Sequence, residues 1–167
     1  AFFDPETAPL FVNGTRRGDL AHFVAYDGRV VTVDLAAPNP VRVADWTFVE
    51  GLDGGWRPGG YQVSAYAEKS DVLYVLMHPE GTEGSHKKSG TEIWALRPSE
   101  KRVLSRTSVT PVGAIAVDDT SPPSLYAVEV EKENVARYDA RPEDGHALTR
   151  KDRERQTGWI SHLEIGR

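Results

Sequence analysis

The segment Asp71 to Arg97, DVLYVLMHPEGTEGSHKKSGTEIWALR, decides the fold. It holds two short apolar runs, Val72 to Met77 and Ile93 to Leu96, both rich in β-branched and aromatic residues and bounded by turn formers. Short runs of that composition read as buried strands. A polar loop, Pro79 to Thr91, joins them, so the segment is a β-hairpin with an unusually long connection.

The same pattern recurs on either side. Phe23-Val24 aligns with Tyr74-Val75 at an offset of 51, and Leu73-Tyr74 aligns with Leu125-Tyr126 at an offset of 52. Repeats of roughly 40–50 residues, each built from about four short antiparallel strands, mark the blades of a β-propeller. No stretch sustains a 3.6-residue apolar period, so almost no helix is expected. The expected fold class is all-β, with about three propeller blades in one domain over residues 1–167. A blade buries its faces against neighbouring blades, and rings close at about four blades or more. Three blades therefore call for more of the same polypeptide or for another chain.

Away from the central hairpin, His22 to Tyr26, the Asp27-Gly28 dipeptide and Arg29 to Leu35 form the clearest hairpin, because Asp-Gly supplies the positive φ of a type I′ turn. Val41 to Val43 offers a short outer strand. Trp46 to Gly60, with two tryptophans and the run GLDGGWRPGG, reads as a structured loop. Gln62 to Ala67 is a strand, and Arg102 to Thr107 an exposed outer one. Gly113 to Val117, Ser124 to Val130 and Val135 to Asp139 form three further separate strands. Glu129, Glu131 and Glu133 alternate with valines and read as an exposed acidic face, and Arg150 to Arg155, RKDRER, as a solvated segment.

Composition narrows the functional classes. A net charge of -5 argues against a nucleic-acid partner, whose phosphates select basic faces. No stretch approaches ~20 apolar residues, so no membrane-spanning helix and no membrane partner are expected. The absence of cysteine removes disulfides and thiolate chemistry. The N-terminus has neither a basic region nor a long apolar one and lacks an initiator Met, which reads as a processed or excised piece.

Three motifs hint at chemistry. Lys88-Ser89 supplies the end of a phosphate-binding loop, but Lys87 and Thr82 stand where that loop needs glycines. Ser85 and His86, with Glu83 and Glu92 near, contain the residue types of a hydrolase without a nucleophile elbow to present them. His22, His78, His86, His146 and His162 show no metal-ligand spacing, so no metal site is expected. Trp56-Arg57-Pro58-Gly59-Gly60 is the most informative of the remaining motifs. Trp and Arg dominate interface hot spots, and proline with two glycines can hold them in one presented shape. The alternative is that Trp56 fills a gap between blades while Arg57 pairs with a carboxylate.

The stretch Leu73 to Leu96, preceded by GWRPGGYQ at Gly55 to Gln62, resembles the heavy subunit of the quinone-dependent amine dehydrogenases, closer to the aromatic amine branch than to methylamine dehydrogenase. The resemblance covers roughly residues 1 to 140 and is strongest across residues 55 to 96; the closing segment Glu143 to Arg167 departs from it. It implies a seven-bladed propeller, for which seven repeats would need about 357 residues, so that this chain is similar to the C-terminal portion of such a subunit. It further implies a periplasmic assembly of two heavy and two light subunits. The light subunit carries a tryptophan tryptophylquinone cofactor and passes electrons from primary amines to a small blue copper protein. This chain would then hold no cofactor and no catalytic residue, and would dock the light subunit and the remainder of the heavy subunit. The candidate contact residues are Trp56, Arg57, His86 and Lys87. A propeller interaction module without a quinone partner, and a hydrolase using Ser85 and His86, are the competing readings.

Overall fold

The computed structural model describes residues 11–36, 38–39, 41–49, 55–80, 90–130, 134–155 and 163–165. Among them, the strands are β1 (Phe11–Arg17), β2 (Leu20–Ala25), β3 (Arg29–Asp34), β4 (Val41–Thr47), β5 (Trp56–Pro58), β6 (Ser64–Ala67), β7 (Val72–Pro79), β8 (Gly90–Arg97), β9 (Arg102–Val117), β10 (Ser124–Glu129), β11 (Asn134–Arg141) and β12 (Ala147–Arg155). The described residues contain no α-helix.

The strands group into three antiparallel blades. The first is β1-β2-β3-β4. In the second, β6 and β5 both pair with β7, which pairs with β8 and then with the first half of β9. In the third, the second half of β9 pairs with β10, which leads to β11 and β12. The repeat seen in the sequence is now physical: β2, β7 and β10, the second strands of the blades, begin at Leu20, Val72 and Ser124, each 52 residues after the last.

The inner strands of neighbouring blades touch. Asn13 Oδ1 on β1 accepts from Ser64 Oγ at 2.7 Å and from Ser64 N at 3.2 Å. Gln62, just before β6, forms a parallel bridge to Ala114 on β9. Gly60 (φ 143) makes the approach possible, since a Cβ there would stand 3.0 Å from the Gly113 carbonyl oxygen. Burial follows position in the array. Every residue of β7 from Val72 to His78 is buried, because the second blade lies between the other two. β11 instead alternates buried with half-buried residues, as a strand with one covered face does.

Three sequence expectations give way. Trp46 to Gly60 is not one loop: β4 continues through Trp46 to Thr47, and Trp56–Pro58 is a short edge strand on the end of β7. Pro58 is tolerated there because an edge position need not donate into a ladder. Arg102 to Thr107 and Gly113 to Val117 are two ends of one strand, β9, which continues through Val109-Thr110-Pro111 as it passes from one blade to the next. Arg150 to Arg155 lies in β12, the outer strand of the third blade, where Arg150, Lys151 and Asp152 are exposed as a solvated segment is. Finally, Glu129 is not on an exposed face; it is fully buried, accepting from Thr110 Oγ1 at 2.8 Å, Asn134 Nδ2 at 3.3 Å and Arg150 Nη2 at 2.8 Å. Alternation assigned it to the solvent side, but three converging donors satisfy a buried carboxylate. Glu131 and Glu133 lie outside the described residues.

Candidate docking face around Trp56

The second blade builds a tryptophan-arginine surface from three strands. β5 lies antiparallel to the end of β7, with Trp56 opposite Pro79, Arg57 opposite His78 and Pro58 opposite Met77. Glu80 N donates to Gly55 O at 2.7 Å and closes the end of this pair. Alternation along β5 turns successive side chains to opposite faces, so Trp56 and Arg57 diverge.

Arg57 goes inward. Its side chain is 1% exposed, and its guanidinium donates to Trp56 O at 2.7 Å and to Glu80 Oε1 at 2.9 Å. Glu80 itself is 47% exposed, so the pair runs from the interior to the surface. Trp56 is half-buried and leans on Trp94 of β8, with ring centroids 6.2 Å apart at 51°. Phe48 packs on Trp94 at 6.0 Å, and Trp46 on Phe48 at 6.2 Å, both edge-on. This aromatic row ties the end of the first blade to the second, and edge-on pairs of this kind add about 0.5–1.5 kcal/mol beyond buried area.

Arg106 caps the row. Its guanidinium carbon sits 5.1 Å from the Trp56 ring centroid and 4.3 Å from that of Trp94. Glu92 Oε2 holds it there, accepting from Arg106 Nε at 2.9 Å and Nη2 at 2.8 Å, and from Trp94 Nε1 at 2.7 Å. The Arg106 side chain remains 45% exposed. A planar cation over two tryptophans, fixed by a carboxylate, makes an ordered and partly exposed surface.

Of the residues singled out in the sequence, Trp56 and Arg57 are adjacent on β5 but face opposite ways. Ser85, His86 and Lys87 lie outside the described residues. Sequence reasoning missed Glu92 and Arg106 as members of the patch. Glu92 and Trp94 share a face by their spacing, but Arg106 enters only through the register that sets it opposite Trp94. Two register shifts in the β8–β9 ladder hide that pairing from any count along the chain.

Among the described residues, no group of three or more His, Cys, Asp or Glu side chains is placed to hold a metal ion, and no helix is long and apolar enough to cross a membrane.

Solved structures share the architecture. The β-propeller domain of Cps50 (Swd1) from Myceliophteria thermophila superposes with a TM-score of 0.55 over 82% of this chain and 42% of that one, at 8% identity. A KlHsv2 variant with loop 6CD replaced by a Gly-Ser linker does so with a TM-score of 0.61 over 89% and 46%, at 11% identity. At such identities the likeness concerns the fold alone, and that fold is the β-propeller.

Sequence comparison is more specific. The methylamine dehydrogenase heavy chain of Methylophilus methylotrophus is 30% identical over 133 residues, which is 76% of this chain and 31% of that protein. The heavy chain of Paracoccus versutus is 28% identical over 119 residues, 69% of this chain and 28% of that protein. The chain thus spans about a third of the length of the curated relatives it matches. The family described as "Methylamine dehydrogenase heavy chain (MADH)" matches residues 2–160, which carries the likeness through β12 and past the point where the sequence pattern departs. On that match, and on the three blades that carry it, this chain belongs to the methylamine dehydrogenase heavy chain family.

Proposed function

We propose that this chain forms blades of the heavy subunit of a periplasmic, tryptophan tryptophylquinone-dependent amine dehydrogenase. The observation that carries this reading is the family match over residues 2–160, coextensive with the three blades. In this reading the quinone belongs to a light subunit. That subunit oxidises a primary amine, of the aromatic class by the character of residues 55 to 96, and a small blue copper protein accepts the electrons. The heavy-subunit blades position the light subunit and supply no reacting group. Trp56, with Arg106 above it, is the exposed part of the docking face. Arg57 acts from beneath, fixing β5 through Glu80, and His86 and Lys87 contribute from the loop after β7. The half-covered face of β11 is the side on which a further blade of the heavy subunit packs.

The test is co-purification. The chain, produced with the remainder of its heavy subunit and a candidate light subunit, is expected to bring down a small coloured partner. The visible absorbance of that partner bleaches faster with phenylethylamine than with methylamine. A colourless, non-enzymatic partner would replace this reading with that of a propeller interaction module. Faster bleaching by methylamine would move the chain to the other branch of the family.

A further inference from the structure

A second site lies away from the tryptophan patch, in the seam between the first and second blades. A cavity of about 200 Å³ opens there. One wall comes from β2, β3 and β4, and the other from Asp71, at the turn into β7, and from the β8–β9 turn, Pro98 to Lys101. Drug-sized ligands occupy ~300–1,000 Å³, so this space suits a smaller molecule.

The lining is organised. Asp71, in the left-handed region at φ 47, accepts from Tyr66 OH at 3.0 Å and from Ser99 Oγ, so its carboxylate is held by two hydroxyls with lone pairs to spare. His22 is fully buried, with its ring 4.1 Å from that of Tyr66 and its Nδ1 2.9 Å from Thr32 Oγ1. Its other ring nitrogen, Nε2, is buried and has no hydrogen-bond partner among the described residues. With no surface open to solvent, His22 stands behind the cavity wall and not on its face. Lys101, exposed and at φ 52, brings an opposite charge to the same cavity. Leu20, Val43, Ala44 and Pro98 complete an apolar strip.

We propose that this seam binds a small zwitterion, an α-amino acid with a short apolar side chain. Its ammonium meets Asp71 and its carboxylate meets Lys101, while His22, packed behind the wall, senses the occupied cavity. Two charges of opposite sign at one cavity select a molecule carrying both, and the apolar strip covers its side chain. The site stands apart from the docking face and does not depend on the amine dehydrogenase reading.

The test titrates L-valine, propylammonium and propionate into the full chain labelled with ¹⁵N-histidine, following the His22 ring resonances at neutral pH. Valine is expected to shift them saturably. Losing one charge-assisted contact lowers affinity roughly tenfold to a hundredfold, so each half-molecule and the Asp71→Asn and Lys101→Gln variants are expected to bind at least that much more weakly. Asn tolerates the left-handed backbone at position 71, and Lys101→Gln provides an independent surface variant. No response to valine, an equal response to either half-molecule, or full affinity in both variants would overturn the proposal.

Discussion

Trp94 on β8 and Arg106 on β9 stand directly opposite each other in the ladder, with the guanidinium carbon 4.3 Å from the indole centroid and both side chains hydrogen-bonded to Glu92. A carboxylate, a cation and two indoles thus share one surface, so disturbing one member displaces the others.

Arg106→Ala is expected to lower stability by only about 0.5–1 kcal/mol, the worth of a solvent-exposed cation–π contact. Indole fluorescence should shift to the red as Trp56 becomes wetter. If the docking reading holds, affinity for the light subunit falls at least tenfold while stability barely changes. Unchanged affinity in a binding titration would remove the patch from the interface.

Glu129 and Arg150 behave differently because one is 1% exposed and the other 34%. Arg150→Met leaves a buried carboxylate with only neutral donors, and breaking a buried pair from one side costs ~3–5 kcal/mol. The partial exposure of Arg150 reduces this to about 2 kcal/mol. Glu129→Gln, which keeps an acceptor for Thr110, should cost less. Urea unfolding of both variants decides the order, and equal losses would contradict it.

Burial pushes the His22 imidazole down from 6.5 to about 4, with Asp71 opposing the shift; Thr32 and Tyr66 are its other polar neighbours. The folded chain therefore keeps His22 neutral where the unfolded chain would protonate it. Stability from this group is complete above about pH 6.5 and is lost as pH falls towards 4, reaching about 3 kcal/mol at 1.36 kcal/mol per unit. Asp45, held below its ordinary range mainly by its hydrogen bond from Arg29, contributes stability that disappears only at lower pH. Unfolding free energies at pH 7 and 4.5 should differ by less in His22→Gln than in the parent. An identical slope would show that His22 does not set the acid limit.

Gly28 closes the β2–β3 turn at φ 81, and a Cβ there would stand 2.7 Å from Val49 Cβ. Gly28→Ala combines a left-handed backbone with a clash and is expected to cost about 2 kcal/mol or more. A thermal melt that matches the parent would mean that the turn can shift away from Val49.

The period near 51 residues was legible because second strands such as Val72 to Met77 are buried on both sides and written almost wholly in apolar residues. The turn at Gly28 was legible for a local reason, since that residue takes φ 81, but Asp27 does not share the positive φ, so the turn is not the type I′ that the dipeptide suggested. Glu129 was not, because alternation reports a side chain's direction and is silent about the donors it meets there. Arg150 illustrates the same limit. Within RKDRER it looks like any solvated charge, and only the fold brings it to Glu129. Trp56 and Arg57 were visible as a pair, whereas Arg106 depended on a register that two bulges had shifted.

β9 runs unbroken from the outer edge of the second blade to the inner edge of the third, and its sixteen residues hydrogen-bond to both. The first and second blades have no such common strand among the described residues; residues between β4 and β5 join them. Rotation of the third blade against the second must break or twist a ladder, whereas the first can swing by shearing side chains. The second and third blades therefore share a ladder, while the first is held to the second by side-chain contacts, and the seam holding His22 and Asp71 lies at that side-chain junction. A molecule lodged in that seam would act as a wedge, setting the angle at which the first blade meets the other two.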